Sequence, residues 1–90
     1  MKITKKNIVR HELIGLKVKI TSSPDPSQIG IEGTIIDEYK NLIVVKTDRG
    51  VKKIEKKYRI FHFSLPEGEK AVVNGSKIAL RPEDRVKIWL

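Results

Sequence analysis

The sequence contains no cysteine, which excludes a disulfide framework, a thiolate nucleophile and a cysteine-based zinc site. Two histidines are too few for a histidine-rich metal centre. No apolar run approaches the roughly 18 residues of a membrane-spanning helix. The start, Met1-Lys2-Ile3-Thr4-Lys5-Lys6, lacks the hydrophobic stretch of a secretory signal. The expectation is a soluble, cytoplasmic protein. Aromatic side chains are scarce: Tyr39, Tyr58, Phe61, Phe63 and Trp89 make up the set. No glycine-rich phosphate loop is present. One methionine and one glutamine, beside abundant lysine and glutamate, match the usage of proteins from hot environments.

What the chain has in excess is positive charge. Nineteen Lys and Arg against eleven Asp and Glu give a formal +8 over 90 residues. So large an imbalance costs self-repulsion in the folded state, and a polyanion relieves it. Nucleic acid is the leading partner and an anionic membrane surface the weaker one. Hydrophobic residues, at 39%, suffice for one small core, so the organisation expected is a flexible basic tail over residues 1–6 and a single domain over residues 7–90.

Hydrophobic spacing predicts a short helix near Ile8, Val9, Glu12 and Leu13, capped by Thr4 or Asn7 and ended at Gly15. The period then changes to two. Lys17-Val18-Lys19-Ile20-Thr21 alternates as a half-buried strand does. Ser22-Ser23-Pro24-Asp25-Pro26-Ser27 reads as a mobile loop. A strand is expected from Ile29 to Tyr39, with a bulge or bend at Gly30 or Gly33. Leu42 to Thr47 is a buried strand, turned at Asp48-Arg49-Gly50 into Val51 to Ile54. Phe61, Phe63 and Leu65 share one face of the next strand. Ala71 to Val73 and Lys77 to Arg81 read as a hairpin about Asn74-Gly75, and Pro82 starts a helical turn. About six short strands describe an all-β barrel, whose closure removes exposed edges.

Charge is unevenly spread. Residues 46–59 hold seven bases and two acids, residues 1–20 six bases and one acid, and residues 21–45 one base and four acids. Lys46, Arg49, Lys52, Lys53, Lys56, Lys57 and Arg59, on and around one hairpin, are candidate phosphate contacts, with Arg10, Lys17, Lys19, Arg81 and Arg85 beside them. The bland alternative is a solvated hairpin whose lysines discourage edge pairing. Tyr58, between Lys57 and Arg59, is the one aromatic kept as a candidate base or ribose contact. Phe61 and Phe63 belong to the core.

Candidate catalysts are few. His11 and His62 lack a third partner for acid–base work. Asp37 and Glu38, adjacent on a strand, point to opposite faces and suit a solvated acidic patch better than a magnesium site. The apolar ends, Ile8, Val9 and Leu13 with Ile88, Trp89 and Leu90, either pack on the barrel or form a docking face for a second protein, to which Asp37 and Glu38 would contribute charge.

Three separated runs carry a resemblance: His11-Glu12-Leu13-Ile14-Gly15-Leu16, Gly30-Ile31-Glu32-Gly33-Thr34-Ile35-Ile36-Asp37-Glu38 and Leu80-Arg81-Pro82-Glu83-Asp84-Arg85. In this order they resemble the archaeal ribonuclease P protein component 1 family, related to a eukaryotic ribonuclease P and MRP subunit. The resemblance implies an Sm-like six-stranded antiparallel barrel. It also implies a noncatalytic place in the particle that removes the 5′ leader from precursor transfer RNA. The RNA subunit would do the cutting with magnesium ions, and a zinc-ribbon protein would be a partner subunit. The sequence runs five residues past Arg85, so the expectation is that any longer C-terminal helix of relatives would be shortened here or replaced by Ile88, Trp89 and Leu90. Readings from other classes are a ribosomal or Sm-type RNA-binding module of another ribonucleoprotein, a self-sufficient nuclease using His11 or His62, and a pure protein-interaction domain.

Overall fold

A computed structural model describes residues 3–86. Its strands are β1 (Lys17–Ser22), β2 (Glu32–Glu38), β3 (Leu42–Thr47), β4 (Gly50–Glu55), β5 (Ile60–Ser64) and β6 (Lys70–Asn74), followed by a short helix α1 (Pro82–Val86). They form one antiparallel sheet in the order β4-β3-β2-β1-β5-β6. The sheet curls into a small barrel around one core. Val18 and Ile20 of β1, Ile35 of β2, Ile43 and Val45 of β3, Ile54 of β4, Phe61 and Phe63 of β5, and Ala71 and Val73 of β6 all point inward. Lys17 and Lys19 alternate outward, as the period of two requires.

The sheet's two edge strands, β4 and β6, do not pair with each other. Where the hairpin reading placed a seventh strand over Lys77–Arg81, the chain after β6 instead makes a 3₁₀ turn over Gly75–Ile78. Asn74 caps it, accepting hydrogen bonds from Ser76 N and Oγ, and Ile78 is fully buried. Gly75 lies against the carbonyl of Lys56, just past the end of β4, and a Cβ there would overlap that carbonyl. The glycine marks a close approach of two backbones, not a hairpin turn.

The bulge also falls elsewhere than expected. Gly33 stays in register with Val18, and its missing Cβ makes room for the Lys46 carbonyl. The shift lies at Ile36: Ile35 pairs with Val45, but Asp37 pairs with Val44 and Glu38 with Ile43. A regular strand with Ile35 inside would send Glu38 outward. The extra residue turns Glu38 into the interior opposite Ile43, and leaves Ile36 exposed.

The segments around the barrel are more tightly built than the sequence suggested. The first helix is a single 3₁₀ turn, Ile8–Arg10. Thr4 and Asn7 bond each other reciprocally, with Thr4 N to Asn7 Oδ1 at 2.8 Å and Asn7 N to Thr4 Oγ1 at 3.3 Å, and Ile3 packs on the core. Ile3 to Lys6 are thus part of the fold rather than a free tail. Strand β2 begins at Glu32, because Pro26–Gln28 form a 3₁₀ turn capped by Asp25. Ser27 donates to Asp25 through both N and Oγ, holding the Asp25 carboxyl below its usual range.

Candidate nucleic-acid interface

The register lines up one row across all six strands: Lys70 of β6 faces Ser64 of β5, then Lys17 of β1, Thr34 of β2, Lys46 of β3 and Val51 of β4. Directly opposed residues in antiparallel strands share a face. Since Lys17 and Lys46 are exposed, the whole row looks outward. Strands sit about 4.8 Å apart, so the three lysines, on alternate strands, recur about every 10 Å. Hydroxyls of Ser64 and Thr34 lie between them. A second row sets Lys19 between Glu32 and His62. The two rows border a concavity of about 580 Å³. Its cations are Lys17, Lys19 and Lys70, tempered by Glu32 and Asp48. Regularly spaced ammonium groups with interleaved hydroxyls suit a phosphate backbone.

The expected hairpin surface is divided rather than continuous. Lys46 and Lys53 face outward, whereas Lys52 is paired with Val45 and faces the other way, exposed only because β4 is an edge. Arg49 and Lys57 are exposed in turns. Arg59 is buried: its Nε donates to Gln28 Oε1 at 3.0 Å, its Nη1 donates to the Lys57 carbonyl at 2.9 Å, and Glu55 lies 3.6 Å away. It braces the turn and is not available to phosphate.

Lys56 and Arg85 depart furthest from the sequence reading, because both are fully buried on one carboxylate. Lys56 Nζ lies 2.7 Å from Glu38 Oε2 and 3.2 Å from the Leu80 carbonyl. Arg85 Nη2 reaches both oxygens of Glu38 at 2.6 Å, and its Nη1 donates to the carbonyls of Val9 and His11 at 3.0 and 2.7 Å. Burial lowers the Lys56 pKa below 10.5, opposed by the hydrogen bond and charge of Glu38. Two cations on one anion leave a net positive charge inside the protein, softened by three backbone carbonyls. Glu38 is therefore no solvated acid, and Lys56, Arg59 and Arg85 are no RNA contacts. The network instead ties β2, the end of β4, the segment before β1 and α1 together.

The acidic patch is reduced to Asp37, whose carboxylate accepts from Tyr39 Oη at 2.9 Å and raises the Tyr39 pKa. Ile8 and Leu13 are core residues, while Val9 is only partly covered. Ile14 and Ile36 are exposed apolar residues on neighbouring segments, which the Gly15 N to Ile35 carbonyl hydrogen bond of 2.8 Å joins. Arg81 is exposed and Arg10 half-buried. Ile88, Trp89 and Leu90 lie outside the described residues. His62 stands on the outer face of β5, and His11 follows the first 3₁₀ turn. Among the described residues, no three histidine or acidic side chains gather as metal ligands, and no helix is long and apolar enough to cross a membrane.

Fold and surface together define a small, basic, six-stranded β-barrel module. Residues 6–88 match the family described as ribonuclease P/MRP, subunit p29, and the chain belongs to that family. It is 48% identical over 85 residues to ribonuclease P protein component 1 of Methanosphaera stadtmanae, covering 94% of this chain and 91% of the relative. The protein of the same name from Pyrococcus furiosus is 45% identical over 86 residues, 96% of this chain and 68% of that protein. Among solved structures, Mth11, a homologue of human RNase P protein Rpp29, superposes with a TM-score of 0.61 at 39% identity, over 84% of this chain and 99% of its own. The resemblance carried by the three sequence runs is thereby borne out, as is the barrel it implied.

Proposed function

We propose that this ribonuclease P subunit is noncatalytic and binds the particle's RNA through phosphates laid along the row Lys70, Lys17 and Lys46. Hydrolysis, with its magnesium ions, is left to the RNA during removal of the 5′ leader from precursor transfer RNA. The observation that carries this reading is the six-strand register, which converts three lysines far apart in the chain into one evenly spaced line. Cations so spaced lower the repulsion between RNA segments packed against them, so the active RNA fold needs less magnesium. A zinc-ribbon subunit of the same particle is the proposed protein partner, seated over Ile14 and Ile36 beside the β2 bulge. Cytoplasmic residence goes with the same reading.

The test replaces Lys17, Lys46 and Lys70 together by Gln and measures binding to ribonuclease P RNA as a function of salt. Each phosphate contact contributes about 0.7–0.9 to the slope of log K against log salt, so the variant's slope should fall by about two to three while its circular dichroism is unchanged. The wild-type chain should also stimulate cleavage of precursor transfer RNA by that RNA at limiting magnesium, and the variant should not. An unchanged salt slope rules out this face.

A further inference from the structure

Tyr58 is the one non-glycine residue among those described with a positive φ, at 64°. A bulky side chain in the left-handed region is strained, and Gly or Asn would sit there at lower cost. It is also the most exposed large apolar residue described, at 77%. The turn that carries it is not loose. Lys56 N donates to the Asn41 carbonyl at 2.8 Å, and the Lys56 side chain is locked on Glu38 and the Leu80 carbonyl. On the other side Arg59 clasps the Lys57 carbonyl and Gln28, and Gly75 N donates to the Arg59 carbonyl at 2.8 Å. Two buried cations thus clamp the residues flanking Tyr58 while its ring is held out in solvent. Its hydroxyl makes no hydrogen bond among the described residues, in contrast to Tyr39, which is tied to Asp37. Nothing in the fold uses the ring, yet the backbone is strained and braced to present it.

We infer that Tyr58 is a stacking platform for one unpaired nucleobase, with the exposed ammonium group of Lys57 beside it to meet the adjoining phosphate. The inference rests on the RNA-binding reading above and adds to it a preference for bulged or looped-out nucleotides over continuous helix. A rigid, preorientated ring loses little freedom on stacking, and every base offers a π-face to it. An RNA helix keeps its bases stacked on each other, so a flat aromatic surface at a cationic turn selects the places where a base is free.

The experiment compares a short RNA duplex carrying a single bulged 2-aminopurine with the same duplex lacking the bulge. Wild-type protein should bind the bulged RNA more tightly, by roughly five- to hundredfold, which is the usual worth of one base on an aromatic ring, and should quench the 2-aminopurine. Tyr58→Phe should keep both effects. Tyr58→Asn should lose both, with its salt slope unchanged because no cation is removed, and should be at least as stable as wild type because the strain is relieved. Equal, salt-dependent binding of the two duplexes by wild type, or a bulge preference that survives Tyr58→Asn, overturns the platform and leaves the lysine row standing. Failure of wild type to bind either duplex overturns the row as well.

Discussion

Lys56 and Arg85 carry the same formal charge as Lys17, Lys46 and Lys70, yet the protein uses the two groups in opposite ways. The first pair is withdrawn from water onto Glu38, joining segments that are 18 and 47 residues away along the chain. The second set lies in one outward row with no acid directly opposite any of the three. Basic residues therefore contribute to two different free energies here, one of folding and one of binding. Substitutions should separate them: changes to the buried group move stability and leave salt dependence alone, and changes to the row do the reverse.

The largest effect is expected at Glu38, because its removal leaves two buried cations without a counter-charge. Glu38→Ala should cost about 3–5 kcal/mol, which in a domain of this size lowers the melting temperature by more than about 12 °C. Thermal unfolding followed by circular dichroism checks it, and a loss under about 1 kcal/mol would mean that water reaches the pair.

Arg85→Met comes next. Glu38 keeps Lys56, so the remaining pair is balanced, but the carbonyls of Val9 and His11 lose their donor. A loss of about 1–3 kcal/mol is expected for buried acceptors left unsatisfied. Amide hydrogen exchange distinguishes this from global weakening: protection should fall first between Ile8 and Leu16, which Arg85 ties to α1. Uniform loss of protection across β1 to β6 would contradict that local role.

Why one group was legible in the sequence and the other was not follows from how each is placed. Lys17 and Lys19 announce themselves through strict alternation with Val18 and Ile20, and Phe61, Phe63 and Leu65 likewise declare an inward face. Period two is a local property, and it holds wherever the strand is regular. Glu38 reads as exposed because alternation from Ile35 puts it outside, and only the extra residue at Ile36 reverses its direction. No glycine or proline marks that bulge. Lys56 sits in a run of bases, where local composition says surface, and its burial depends on a partner set by tertiary pairing. Gly75 misled for a related reason: Asn-Gly signals a hairpin turn, but here the glycine answers to the neighbouring Lys56 carbonyl. The lysine row was half legible. Lys17 was visible as an outward-facing base and Lys46 as a member of a basic run, but their alignment required the register of six strands, which adds Lys70, a residue that no charge cluster singled out.

The smallest change in stability is expected at Lys56, and it is the most discriminating. Lys56→Met leaves Glu38 and Arg85 as a neutral pair and fills the site with a side chain of similar length, so stability near neutral pH should stay within about 1 kcal/mol of wild type. The pH dependence should nevertheless change. In the wild type, burial lowers the Lys56 pKa below its usual 10.5. Between that lowered value and 10.5 the unfolded chain holds a proton that the folded chain has released, so stability rises with pH across the window and is level on either side of it. Wild-type stability minus that of Lys56→Met should therefore climb as alkaline pH approaches 10.5, in urea titrations at matched ionic strength. A flat difference would mean that Lys56 keeps its ordinary affinity for protons despite its burial. The same variant removes one positive charge from a basic protein, yet its RNA salt slope should equal that of wild type. Ion release on binding counts cations that meet phosphate, and a cation enclosed with Glu38 meets none.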